Sequence, residues 1–289
     1  LTQHKLNEQV LRWEKKGENF LLRENSYVNF ANDSLPISEA VVNSNFEPIL
    51  FKFKIEAVND SVNTSLVDVT TLFNSDVKPL GYPQRSRKSR KISSLDTKLS
   101  YIEHIKSYPK NIEARHVKTY RSSETESGTV SMEINNSMVI LPKTPMKRRY
   151  FDERVGWFTN SQTDYGIDNQ EAKTVKYLKR WRLEVKDEDI EKFEAGELVE
   201  PKKPIIYYID PATPKKWRKY LKQGVEDWQV AFEAAGFKNA ILAKDPPTKE
   251  EDPDWSPEDV RYSVIRYLAS PILNANGPST SDPRSGEII

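Results

Sequence analysis

Cysteine is absent from this sequence, and histidine and glycine are scarce, at 3 and 10 residues of 289. Without cysteine there is no disulfide, no thiolate zinc site and no cysteine nucleophile. The three histidines, His4, His104 and His116, are scattered and lack the His-x-x-x-His spacing that puts two ligands on one helix face. No Gly-x-Ser-x-Gly elbow, Walker loop or Gly-x-Gly-x-x-Gly fingerprint occurs. No apolar run approaches the ~20 residues needed to span a bilayer. An excess of either charge is also missing. Lys+Arg 44 against Asp+Glu 43 gives a net charge of +1, which argues against nucleic acid as a partner.

What is present suffices for a core. Hydrophobic residues make up 37% and aromatics 10% of a length that fits about two domains. The first part reads as β-rich. Asn19–Phe30, Pro48–Val58 and Ser65–Phe73 carry alternating or β-branched apolar runs, with turns at Asn32-Asp33, Asn43-Ser44-Asn45 and Asn59-Asp60. The Ser-rich basic run Pro83–Lys91 reads as a solvated loop, and Leu99–Tyr108 as a short helix. Ile112–Arg121 and Thr129–Leu141 read as a long strand pair joined at Ser122–Gly128. Val175–Val185 is a further strand, and Asp187–Gly196 an acidic helix or connector. Pro201–Pro204 reads as a linker, which sets domains at 1–200 and 201–289.

The second part changes character. Ile205–Ile209 is a short apolar strand. Thr213 is placed as an N-cap with Pro214 at the first helical position. Trp217, Tyr220, Leu221, Val225, Trp228, Ala231, Phe232 and Ala235 then follow helical spacing up to a Gly236 cap backed by Phe237. Ile241–Ala243, Arg261–Leu268 and Gly286–Ile289 read as strands. The fold class is therefore α+β, a β-rich domain followed by a strand, a long helix and further strands. The last strand opens after a turn, so the chain is expected to continue beyond Ile289.

Candidate chemistry is sparse. The acidic segment Glu250–Asp259 lacks the Asp-x-Asp-x-Asp-Gly calcium pattern and reads as a solvated loop. Arg149, Asp152 and Arg154 suit either a buried ion-pair network or a carboxylate clamp. His104 and His116 read as structural or surface residues.

Several stretches, in this order and over nearly the whole chain, resemble one family. They are Pro36-Ile37-Ser38-Glu39-Ala40-Val41, Asn45-Phe46-Glu47-Pro48-Ile49-Leu50, Val67-Asp68-Val69-Thr70 and Tyr108-Pro109-Lys110-Asn111-Ile112-Glu113. Leu141-Pro142-Lys143-Thr144-Pro145-Met146, Asp152–Phe158, Arg180-Trp181-Arg182-Leu183 and Pro204–Asp210 follow, then Trp217-Arg218, Trp228–Phe237 and Gly277-Pro278 with Asp282–Ile288. Together they resemble large bacterial zinc-dependent metalloproteases, in which a β-rich domain precedes a metzincin-like catalytic domain. The resemblance implies that Ile205–Asp210 is the first strand of the catalytic domain and Lys215–Ala235 its first long helix. It implies zinc as the cofactor of the full-length protein, held by a His-Glu-x-x-His helix that follows Asp282–Ile288. No zinc ligand or catalytic Glu of that motif lies within residues 1–289, so this stretch alone is expected to be inactive. Gly286, Glu287, Ile288 and Ile289 become a lead-in to a strand that binds peptide substrate.

The same resemblance implies export to the periplasm or cell surface. It also implies O-glycosylation of Asp-Ser/Thr-apolar triplets, with Ser34 (Asp33-Ser34-Leu35) and Ser61 (Asp60-Ser61-Val62) as acceptors. The implied partners are the rest of the protease chain and a protein or peptide substrate. The alternative is a binding or scaffold module of an outer-membrane assembly.

Overall fold

The computed structural model describes residues 8–168, 171–269 and 274–289. The first layer is an antiparallel sheet of β1 (Val10–Lys16), β2 (Asn19–Asn25), β4 (Ile49–Asn59) and β5 (Thr64–Val67) in the order β1-β2-β4-β5. In β4, Phe51, Phe53 and Ile55 alternate with Lys52, Lys54 and Glu56, so one face is apolar and the other charged. Between β2 and β4 in sequence come β3 (Asn29–Phe30) and α1 (Ile37–Ser44).

The second layer is built on β8 (Asn111–Ser122), which pairs along its length with β9 (Thr129–Val139). On its opposite edge lie β7 (Tyr101–Ser107) and, beside the C-terminal end of β8, β6 (Ile92–Leu95). Helix α2 (Thr70–Asn74) packs its Leu72 and Phe73 between the layers. Leu22 and Phe53 come from one side and Ala114 from the other, with Leu80 completing the buried core. A third small sheet pairs β10 (Thr159–Asp164) with β11 (Lys173–Leu178) antiparallel and with β3 in parallel.

The C-terminal part is an α/β unit. The strands β12 (Ile205–Ile209), β13 (Ile241–Lys244) and β14 (Ser263–Ile265) are mutually parallel in the order β13-β12-β14. Between β12 and β13 run α5 (Lys215–Glu226) and α6 (Gln229–Ala234), preceded in the chain by α4 (Ile190–Glu194). Val225 packs on Ile205 and Ile241. The chain is therefore β-rich and of the α+β class, and no helix of the described residues is long and apolar enough to cross a membrane.

The strands of the long pair, β4, β12 and β13 stand where the sequence places them, and Gly236 takes the left-handed φ of +92° with buried Phe237 behind it. Other expectations change. Leu99–Tyr108 is a strand, because Pro109-Lys110 forms a turn that folds it back onto β8, closed by Tyr108 N–H donating to Asn111 O. Ser65–Phe73 splits. Asp68 Oδ1 accepts from Thr70 N–H at 2.8 Å and turns the chain into α2. The basic run forms α3 (Gln84–Ser89), and its Arg87 is buried.

Strands predicted for Val175–Val185 and Arg261–Leu268 shorten to β11 and β14. The long helix breaks after Glu226, since Trp228 N–H reaches back only three residues to Val225 O and tightens the turn. Its start differs as well. Pro214 is the cap residue, and the buried Thr213 Oγ1 has no hydrogen-bond partner. On the outer side of these helices Trp217 and Trp228 remain 46% and 63% exposed, whereas Phe232 packs inward.

Candidate functional site

Gly286–Ile289 forms no strand of the parallel sheet. It lies against the chain just beyond β11, in single bridges of Arg180 with Glu287 and of Ser281 with Ile288. All four of its backbone N–H groups are used within the chain. Gly286 donates to Asp282 O, Glu287 to Ser285 Oγ, Ile288 to Arg180 O and Ile289 to Thr280 O. The segment is thus tied on both edges. Gly286 has φ +78° and lies against the Leu178 carbonyl, leaving no space for a side chain.

Charged groups lock the same segment. The Arg182 guanidinium donates to both oxygens of Glu287, at 2.8 and 2.5 Å, and its own pKa rises for that reason. Asp282 and Ser285 are fully buried. Asp282 takes the Arg284 guanidinium, which also donates to Pro142 O at 2.6 Å. Arg148 donates to Arg284 O and to Gln162 Oε1, with its guanidinium between the Phe30 and Tyr177 rings. Tyr177 Oη donates to Pro283 O.

The cation of the Lys147–Arg154 stretch that enters a network is therefore the half-buried Arg148. Arg154 and Asp152 form a surface pair with Arg154 87% exposed, and make neither a buried network nor a clamp.

Ser34 and Ser61 sit in two turns of the same build. Asn32 Oδ1 accepts from Ser34 N–H and Oγ–H at 3.1 and 2.9 Å, and Asn59 Oδ1 accepts from Ser61 N–H and Oγ–H at 3.2 and 2.6 Å. Both serines are exposed.

Sequence reasoning misses the place where buried titratable side chains gather. The inward row of β8 reads Ala114, His116, Lys118, Tyr120, so the core receives polar groups that must find partners. Arg87 meets Asp76 in a two-pronged ion pair at 2.7 and 2.6 Å, donates to Tyr82 O at 2.7 Å and lies over the Tyr120 ring. Lys118 Nζ donates to Ser75 O at 2.7 Å. Burial drives the Lys118 amine down to about 8 against the pull of Asp76. His116 Nε2 meets Asn136 Oδ1 at 2.6 Å, and burial drives its pKa down to about 4.

The network is closed: Lys118 and His116 are 0% and 1% exposed. A surface depression lined by Ala57, Val58, Asn59, Thr64, Ser65 and Leu66 lies on the β4–β5 hairpin and holds no titratable side chain. The network thus specifies packing rather than receiving a ligand. The sequence gives it no separate signal, because β8 carries polar residues on both of its faces.

His116 gives a pH prediction. The unfolded chain protonates His116 near 6.5 and the folded chain near 4, so between these values the unfolded state binds more protons. Stability then falls as the pH drops from 6.5 to 4, by up to about 3 kcal/mol from this group. His116→Gln should flatten that part of the acid limb in urea titrations. An unchanged limb would refute the assignment.

Among the described residues no group of three His, Cys, Asp or Glu is placed to hold a metal ion. His104 stands on β7 opposite Arg115, His116 is taken by Asn136, and His4 lies outside the described residues.

Comparison with curated proteins finds no match, and no solved structure matches. A family model described as a domain of unknown function (DUF5117) matches residues 4–186, more than half of the chain, including all strands from β1 to β11. The chain belongs to the DUF5117 family.

Proposed function

We propose that this chain is the non-catalytic N-terminal portion of an exported zinc metalloendopeptidase, with the β-rich domain standing ahead of the opening half of a metzincin-like catalytic unit. The observation that carries the reading is the arrangement after residue 204. A strand, two consecutive helices and a parallel partner strand follow one another, and a third parallel strand joins the other edge of β12. This order suits the strand–helix–strand opening implied by the resemblance, with the helix implied over Lys215–Ala235 divided into α5 and α6. In the full-length protein zinc would activate water for peptide hydrolysis. The His-Glu-x-x-His motif that would hold it does not occur in residues 1–289, and no catalytic step is assigned to them. Gly286–Ile289 would be the anchored arm from which the chain proceeds towards the zinc helix. The paired Asn-Asp-Ser turns present Ser34 and Ser61 openly, which suits the proposed O-glycosylation.

The test is the protein recovered from its source. We expect an intact mass well above 33.4 kDa, about one zinc per chain and chelator-sensitive peptidase activity that residues 1–289 alone do not show. A zinc-free protein with a mass near 33.4 kDa would overturn the reading in favour of a scaffold module of a surface assembly.

A further inference from the structure

We propose that the family-matched β-rich part is a permanent clamp on the parallel-sheet unit and is not released by cleavage of the connector between them. The inference concerns the tie between the two parts and holds whether or not the second is a peptidase.

Three separate contacts carry it. The first is on the outer face of β8, where residues 256–260, just before β14, dock. Glu258 accepts from Lys106 Nζ at 3.0 Å, Arg115 at 2.7 Å and Tyr108 Oη at 3.3 Å, and Tyr108 Oη also donates to Ser256 Oγ. Asn111 reads the backbone next to it. Its Oδ1 accepts from Val260 N–H at 3.0 Å and its Nδ2 donates to Glu258 O at 2.8 Å. Asn111 is itself held by the buried Glu113 carboxylate, which also takes Asn135 and Ser137. The acidic segment is therefore not a solvated loop at this end. Burial raises the Glu258 pKa, but the Lys106 hydrogen bond and the Lys106 and Arg115 charges outweigh it and keep the carboxyl below its ordinary value.

The second contact is the 281–289 segment, which follows β14 and locks onto Pro142, Arg148, Gln162 and Arg180–Arg182 as described above. The β-rich part therefore grips the chain on both sides of β14. The third contact is apolar. Trp181 and Leu183 pack with Ile205, Val225 and Ile241, while Leu183 and Val185 pack with Val199 and Phe237. The last residues of the family-matched part are core residues of the second unit. Separation would uncover that core and strip Asn111 of Glu258 and Val260, Tyr177 of Pro283 and Glu287 of Arg182, a cost characteristic of obligate rather than transient contacts.

The experiment cuts the full chain after it has folded. A recognition site for a specific protease is placed in the exposed turn at Gly196-Glu197. After cleavage the two pieces should co-elute in gel filtration at the position of the uncut chain, at micromolar concentration and without denaturant. Pieces that separate and elute singly would overturn the proposal. A second measurement guards against an incidental association. Asn111→Ala should speed hydrogen exchange of the Val260 amide at least tenfold while the Leu22 and Phe53 amides stay protected. An unchanged Val260 rate would refute the docking of 256–260.

Discussion

Replacing Asp76 by asparagine should cost about 3–5 kcal/mol of unfolding free energy, the range for breaking a buried ion pair from one side. The reason lies in what remains. Arg87 has only 6% of its side chain exposed and would keep its charge against neutral acceptors alone, Tyr82 O, Tyr120 Oη and an amide oxygen, with no countercharge. Lys118, fully buried nearby, would lose the one carboxylate that favours its charged form. Asp76 therefore balances two cations. Arg87→Met should cost less, about 2–3 kcal/mol, because the orphaned Asp76 is one-third exposed and still has Lys118 close by. Urea unfolding of the two variants decides the matter. Equal losses would refute this asymmetry, and a loss below about 1 kcal/mol in both would show that the network is not a stability element.

Gly286→Ala is expected to peel residues 281–289 from their seat. The new side chain would collide with the Leu178 carbonyl, a backbone atom with no freedom to rotate away, at a φ of +78° that alanine already disfavours. A local loss of about 3 kcal/mol or more follows, since neither neighbour can yield cheaply. The amides of Arg180, Asp282, Gly286 and Ile288 hydrogen-bond in this seat, and hydrogen exchange at these positions should rise together by two orders of magnitude or more. Protection retained at these positions would mean that the backbone absorbs the methyl group, and the tight approach at Gly286 would lose its meaning.

How much of this was legible in the sequence depends on how local the cause is. Alternation of Phe51, Phe53 and Ile55 with charges, the apolar run Ile205–Ile209, and Gly236 with Phe237 are local signals, and the structure follows them. Leu99–Tyr108 shows why local signals fail. Ile102 and Ile105 stand three apart and suit a helix face, yet the turn at Pro109-Lys110 hands the segment to β8, whose free edge outweighs propensity. The run Arg85–Lys91 suggests solvent because five of its seven residues are cations. Only the fold brings Asp76 and Tyr120 to Arg87 and makes that one residue interior. The docking of Glu287 on Arg182 and of Glu258 on Arg115 joins residues more than a hundred positions apart, beyond the reach of any periodicity.

The seat of Arg148 also bears on the order in which the molecule is finished. Its guanidinium lies against Phe30 on β3 and Tyr177 on β11 while donating to the carbonyl of Arg284. One side chain thus gathers positions near 30, 177 and 284, separations that make contacts slow to form. A chain emerging from the ribosome N-terminus first has Phe30 and Tyr177 in hand long before residue 284. The small sheet of β3, β10 and β11 must therefore wait, with one face unsealed, until the Asp282–Glu287 turn arrives to close it.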